Sequence, residues 1–139
     1  MELRGKALLV RRDDGFFGEL RQVLDSLGLE AVRVSNCKEL ESRLQDGGPF
    51  LTVFTDVTLP DGGYRDVCRM ASRPAKPVPV IVVSPFVDMD LYIDSMENGA
   101  SDFIVPPFLS TDIAHFLNGG DQRRIVPALV VSQHVAGRA

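Results

Sequence analysis

Asp56 closes the stretch Phe50-Leu-Thr-Val-Phe-Thr-Asp56 and stands four residues ahead of Pro60, which opens the run Pro60-Asp-Gly-Gly63. The four apolar residues between Phe50 and Phe54 predict a strand covered on both faces, because such a strand is apolar nearly throughout. Pro60 to Gly63 supplies the turn chemistry that ends it. A carboxylate at the carboxyl end of a central parallel strand lies where open α/β sheets hold their ligands. The competing assignment is a turn aspartate that accepts from nearby backbone N–H groups. Further polar groups close other apolar runs: Arg11-Arg12-Asp13-Asp14 follows Ala7 to Val10, and Ser84 follows Pro79-Val-Ile-Val-Val83.

These groups meet only if the elements between them bring the strand ends together. The first strand is read at Lys6 to Val10, and Asp14-Gly15 leads into a helix with Phe16, Phe17, Leu20, Val23, Leu24 and Leu27 at helical spacing. Gly28 ends that helix as a left-handed cap, and Glu30 to Val34 forms a short second strand. Ser35 or Asn36 caps the next helix, with Glu39 placed to complete a capping box around Asn36. The third strand runs from Phe50 to Thr55. Tyr64, Val67, Cys68 and Ala71 mark a third helix, followed by a fourth strand at Pro79 to Val83. Asp88 caps a fourth helix carrying Leu91, Ile93 or Tyr92, and Met96, with Gly99 at its end. Ser101 to Val105 is the fifth strand, and Ser110 or Thr111 caps a last helix with Ile113, Ala114, Phe116 and Leu117.

Strict alternation of five strands and five helices with short connections predicts an α/β fold, a doubly wound parallel sheet with helices on both faces in three α/β/α layers. The flavodoxin-like (βα)5 order 2-1-3-4-5 suits five such units, and it gathers the ends of strands one, three, four and five around one crevice. Residues 5–118 form this domain. Residues 119–139 are a tail too apolar to be a solvated one, expected to pack on the domain or to join a second subunit.

The whole chain excludes several classes. Its 139 residues suit one domain, and the formal charge of −4 comes with scattered basic residues, so no nucleic-acid face is expected. No apolar run approaches a membrane span and no signal peptide opens the chain, which reads as cytoplasmic. Cys37 and Cys68 are too few and too far apart for a disulfide framework or a metal knuckle. There is no P-loop, no G-x-G-x-x-G or flavin-phosphate loop after the first strand, and no G-x-S-x-G elbow to accompany His115 or His134. No enzyme activity is expected.

Taken in order, the pieces resemble the receiver domain of bacterial two-component response regulators, over about residues 5–118. The resemblance is carried by the L-L-V strand with Gly28 eighteen residues after Val10, and by Asp56-x-x-x-Pro60. It is also carried by Pro79-Val-Ile-Val-Val-Ser84 and by Gly99-Ala-Ser-Asp-Phe103 leading to Pro107-Phe108. It implies that Asp56 is the phosphoacceptor, Ser84 the hydroxyl that receives a phosphoryl oxygen, and Phe103 the aromatic switch residue. It implies a cis Pro106-Pro107 bond, a histidine kinase or downstream signalling protein as partner, and contact or homodimerisation through the fourth helix, fifth strand and fifth helix.

The departures from the family pattern fall on charge. Arg11 and Arg12 occupy the positions of the acidic pair that holds Mg2+, Pro106 that of the lysine and Pro85 that of a very small residue that leaves room for the phosphoryl group, and the turn after Pro60 is one residue short. Phosphoryl transfer to a carboxylate needs a cation to offset repulsion between anions. An arginine beside Asp56 would instead occupy its lone pairs and depress its pKa. The reading that follows is a degenerate receiver with no cofactor, acting by protein–protein contact, with Arg11 or Arg12 substituting for the metal or phosphoryl charge. The alternative is a working receiver phosphorylated on Asp56, with Asp13 or Asp14 helping to bind Mg2+. A slide of the first strand by two residues would make them the acidic pair and keep side-chain parity, but it would carry Arg11-Arg12 into the strand. A third reading is a small-anion binder or enzyme on the same scaffold, since guanidinium pairs suit carboxylate and phosphate.

Overall fold

The fifth to tenth residues already set the frame. In a computed structural model, which describes residues 5–12, 15, 17–46, 49–74 and 76–117, β1 (Lys6–Val10) is wholly buried from Ala7 onward. It lies between β2 (Glu30–Val34) and β3 (Thr52–Asp56), parallel to both. β6 (Val80–Val83) continues the sheet beside β3, and β7 (Asp102–Ile104) closes it. Between β3 and β6, where the sequence predicts only a turn, the chain makes a two-stranded hairpin, β4 (Thr58–Leu59) and β5 (Gly62–Gly63). The main sheet therefore runs β2-β1-β3-β6-β7, which is the expected order 2-1-3-4-5 once the hairpin strands are set aside.

The helices follow from the crossover rule. α1 (Phe17–Ser26) crosses from β1 to β2 in one direction. α2 (Cys37–Asp46), α3 (Tyr64–Ala71) and α4 (Met89–Glu97) lie in crossovers running the other way, so right-handed connections place α1 opposite them. α5 (Ser110–Leu117) packs beside α1, α2 beside α3, and α4 against β7. Phe17, Phe54, Phe103 and Phe116 fill the interior with Leu8 and Leu20, all fully buried. Among the described residues no helix is long and apolar enough to cross a membrane.

Local chemistry fixes the helix ends. Gly28 (φ +84°) and Gly99 (φ +97°) take the left-handed conformation that closes α1 and α4. In each case the following residue donates back into the last turn: Leu29 N to Leu24 O at 3.0 Å, and Ala100 N to Ser95 O at 3.0 Å. Asp88 caps α4 as expected, its Oδ1 accepting from Leu91 N at 3.0 Å.

Several boundaries differ from expectation. β3 begins at Thr52, two residues late, because pairing with β1 starts at the Ala7–Thr52 step and leaves Leu51 exposed. At α2, Asn36 Oδ1 accepts from Glu39 N at 2.8 Å, but the returning Glu39 carboxylate takes Ser35 N at 3.0 Å and not Asn36 N. On α4 the covered face is Leu91, Tyr92, Ser95 and Met96, and Ile93 points outward, as 100° per residue requires. α5 starts at Ser110 itself, with Leu109 O accepting from Ile113 N at 3.1 Å, so neither Ser110 nor Thr111 stands before the helix. Phe16 and residues 119–139 lie outside the described residues.

Candidate functional site

Asp56 is the last residue of β3 and is half-buried at the carboxyl edge of the sheet. Its Oδ1 accepts from Val57 N at 2.9 Å, so part of its bonding capacity serves the turn that follows. On one side Asp56 pairs in register with Val83 of β6. On the other side Val10 pairs with Thr55, and the next step along these parallel strands sets Arg11 beside Asp56. Arg11 N donates to Val34 O at 2.9 Å, so the backbone keeps strand geometry one residue beyond β1. Arg11 is 4% exposed, whereas Arg12 is exposed. The two arginines are therefore unequal: one belongs to the buried edge of the crevice, the other to the surface. Asp13 and Asp14 lie outside the described residues.

Ser84 follows β6 one step beyond Val83 and is buried, its N donating to Ile104 O at 3.0 Å. Its hydroxyl is engaged locally: Oγ donates to Phe86 O at 2.8 Å and accepts from Phe86 N at 3.2 Å. That small turn leaves Phe86 75% exposed beside the crevice. Phe103 is fully buried in β7 and meets Tyr92 edge-on, with centroids 6.0 Å apart and planes at 76°. Burial, and after it the charge of buried Asp102, pushes the Tyr92 phenol above its ordinary value. The Pro106-Pro107 bond is cis, as the sequence resemblance implied.

The loop after Asp56 carries contacts that sequence reasoning missed. Pro60 and Asp61 form the two-residue tip of the β4–β5 hairpin. From there Asp61 reaches the start of α2, its Oδ1 accepting from Cys37 N at 2.7 Å and its Oδ2 from Lys38 N at 3.1 Å. With Asn36 serving Glu39 N, the first three donors of α2 all have side-chain acceptors. The Cys37 N–H bond is the main reason the Asp61 carboxyl sits below its ordinary value. Gly62 is pressed between the two helices: a Cβ there would lie 2.5 Å from Asp66 Oδ2 and 3.0 Å from Cys37 Sγ. Asp66 Oδ2 in turn accepts from Gly63 N at 3.0 Å at the start of α3. Cys37 and Cys68 are buried free thiols. Burial pushes both up to about 11, with the Asp61 charge adding to the effect at Cys37.

A divalent cation of the magnesium kind is held by oxygen ligands. Among the described residues no three His, Cys, Asp or Glu side chains converge as a metal-ligand set. The described residues bring to this edge the Asp56 carboxylate and the buried Arg11, while Asp13 and Asp14, the acidic pair of the alternative reading, lie outside them. A cavity of about 390 Å³ lined by Leu44, Met70, Arg73 and Glu41 opens between α2 and the end of α3, remote from Asp56.

No protein-family profile matches the chain. It is 28% identical over 105 residues to the C4-dicarboxylate transport transcriptional regulatory protein DctD of Pseudomonas aeruginosa, covering 76% of this chain and 22% of DctD. It is 27% identical over 116 residues to the chemotaxis protein CheY of Thermotoga maritima, covering 82% of this chain and 96% of CheY. The fold superposes on a response regulator receiver domain protein from Clostridium thermocellum with a TM-score of 0.69 at 21% identity, covering 86% of this chain and 96% of that one. Parallel sheet order, an aspartate at the end of β3 and these likenesses define the class the chain resembles: it has the receiver-domain fold and is similar in sequence to response regulators. Such domains carry signals in two-component systems, and this chain spans less than a quarter of DctD and nearly all of CheY.

Proposed function

We propose that this receiver domain signals by protein–protein contact in a two-component context, with Mg2+-dependent phosphorylation of Asp56 impaired or absent. The observation that carries the reading is the burial of Arg11, at 4% exposure, at the step beside Asp56. A buried guanidinium at that place supplies positive charge where phosphoryl transfer would need metal-binding carboxylates, and bonded to Asp56 it would occupy the lone pairs that a nucleophile needs. Arg12, exposed, contributes to the field at the mouth. Ser84 and Phe103 keep the positions of the phosphate-contacting hydroxyl and the switch aromatic, so the scaffold of a conformational signal is retained without the metal.

The contact face is that of α4, β7 and α5, supported by Ile93 (47% exposed) on α4 and Leu109 (51% exposed) just ahead of α5. A histidine kinase, a downstream signalling protein or a second copy of the chain would dock there. The test is intact-mass analysis of the purified domain with Mg2+ and a small phosphodonor or beryllofluoride, beside an Asp56→Ala control. No adduct on a folded domain is the expected result. An adduct that requires both Mg2+ and Asp56 overturns the reading and makes the chain a working receiver.

A further inference from the structure

Asp56 is joined to α4 by a chain of hydrogen bonds that bypasses Ser84 and Phe103. Asp56 Oδ1 accepts from Val57 N at 2.9 Å, and Val57 O accepts from Tyr64 N at 3.2 Å, where α3 begins. The Tyr64 hydroxyl donates to the Asp94 carboxylate in the middle of α4. Arg65 Nε donates to the same oxygen at 3.0 Å while its Nη2 makes an ion-pair contact at 2.9 Å, and Asn98 Nδ2 donates to it at 3.3 Å. Tyr64 is buried, at 8% exposure, and the Arg65 guanidinium lies 6.0 Å from its ring centroid. The Tyr64 and Arg65 bonds hold the Asp94 carboxyl below its ordinary value, and burial with the Asp94 bond holds the Tyr64 phenol above its own.

We propose that Tyr64, Arg65 and Asp94 form a latch that couples the backbone after Asp56 to the position of α4. Two-state behaviour follows from the parts. The Arg65–Asp94 pair is solvent-exposed and individually weak, so the latch opens at small cost. The buried Tyr64 ring fixes one closed geometry, because its hydroxyl has to meet Asp94 from the start of α3. A shift of Val57, whether caused by a ligand or by a change at Asp56, moves the first residue of α3 and is felt at α4. The latch works whether or not Asp56 is ever phosphorylated, so it stands apart from the reading above.

Backbone hydrogen exchange tests it without a phosphodonor. Asp94→Ala keeps a good helix former in α4, and Tyr64→Phe keeps the ring while removing the hydroxyl. Tyr64→Phe is expected to speed exchange of α4 amides about fivefold, the effect of losing one ordinary hydrogen bond from the local opening equilibrium, and Asp94→Ala, which also removes the Arg65 and Asn98 contacts, by at least as much. Asp56→Ala is expected to speed exchange at α4 in the parent protein and to leave it unchanged in the Asp94→Ala background. If Asp56→Ala has the same effect on α4 in both backgrounds, or no effect in the parent, the latch does not couple them and the proposal fails. Should Tyr64→Phe not fold, the Asp56/Asp94 comparison decides the matter alone.

Discussion

Replacing Asp61 by alanine removes both acceptors that the hairpin lends to α2, the bonds from Cys37 N at 2.7 Å and Lys38 N at 3.1 Å. A side-chain cap at a helix start is worth about 1 kcal/mol, reaching about 2 in favourable settings. Asp61 is exposed, so water screens its charge and the lower part of that range applies, about 1–1.5 kcal/mol for the pair of bonds. In a domain of this size such a loss lowers Tm by about 4–6 °C. Asp61→Asn keeps one acceptor oxygen and is expected to lose about half as much.

The pH dependence carries the sign. The Asp61 carboxyl sits below its ordinary value of 3.8 in the folded chain, held there first by the Cys37 N–H bond. Its contribution is therefore fully present above that value, and it disappears as pH falls through the lower folded one. The Tm deficit of Asp61→Ala against the parent, followed by circular dichroism, should be constant from pH 7 to about pH 5 and shrink toward pH 3. A deficit below about 1 °C at pH 7, or one equally large at pH 3 and pH 7, would show that the carboxylate does not hold the start of α2.

Gly62→Ala places its Cβ 2.5 Å from Asp66 Oδ2 and 3.0 Å from Cys37 Sγ, and overpacking of this kind costs about 1–3 kcal/mol in urea unfolding. Gly18→Ala is the control: its Cβ meets nothing within 4 Å on an exposed position of α1, and it should stabilise by up to about 1 kcal/mol. The Cys37 and Cys68 thiols, at about 11, should react with a disulfide reagent at pH 8 roughly a hundredfold more slowly than in denaturant. Equal rates in the two conditions would contradict their burial.

What the sequence made legible was what repeats at short range. Lys6 to Val10 and Glu30 to Val34 were bounded correctly, since each is a β-prone run ended by polar or turn residues. Gly28, Gly99 and Asp88 announced helix ends, because a cap is decided by its own residue type and its neighbours three or four away. The contacts that were not legible join residues far apart in sequence. Asp61 to Cys37 spans 24 residues and Tyr64 to Asp94 spans 30. One joins a hairpin tip to a helix start and the other the start of α3 to a polar position of α4, where no hydrophobic period signals a partner. The Arg11-Arg12 pair could be read as charge near a strand end, but only the continuation of strand geometry to Arg11 N separated a buried arginine from an exposed one.

The short turn after Pro60 explains why these long contacts converge on one loop. Read as a departure from the family pattern, it looked like a missing residue. In the structure Thr58 pairs with Gly63 and Leu59 with Gly62, and α3 starts at Tyr64 with no spare residue between hairpin and helix. Gly62 and Gly63 make this possible, since a Cβ at Gly63 would stand 3.0 Å from Val57 O and one at Gly62 would strike Asp66. The register of α3 is thereby tied directly to Asp56. The same tight hairpin carries Asp61 to α2 and leads into Tyr64, which bonds Asp94 of α4, so both helices are bonded to the segment that begins at the candidate site. A longer, slacker turn would let Asp56 change its surroundings without moving either helix. In the proposed latch it is this tight turn that would tie α4 to the chain at Asp56, while Asp61 bonds α2 to the same hairpin.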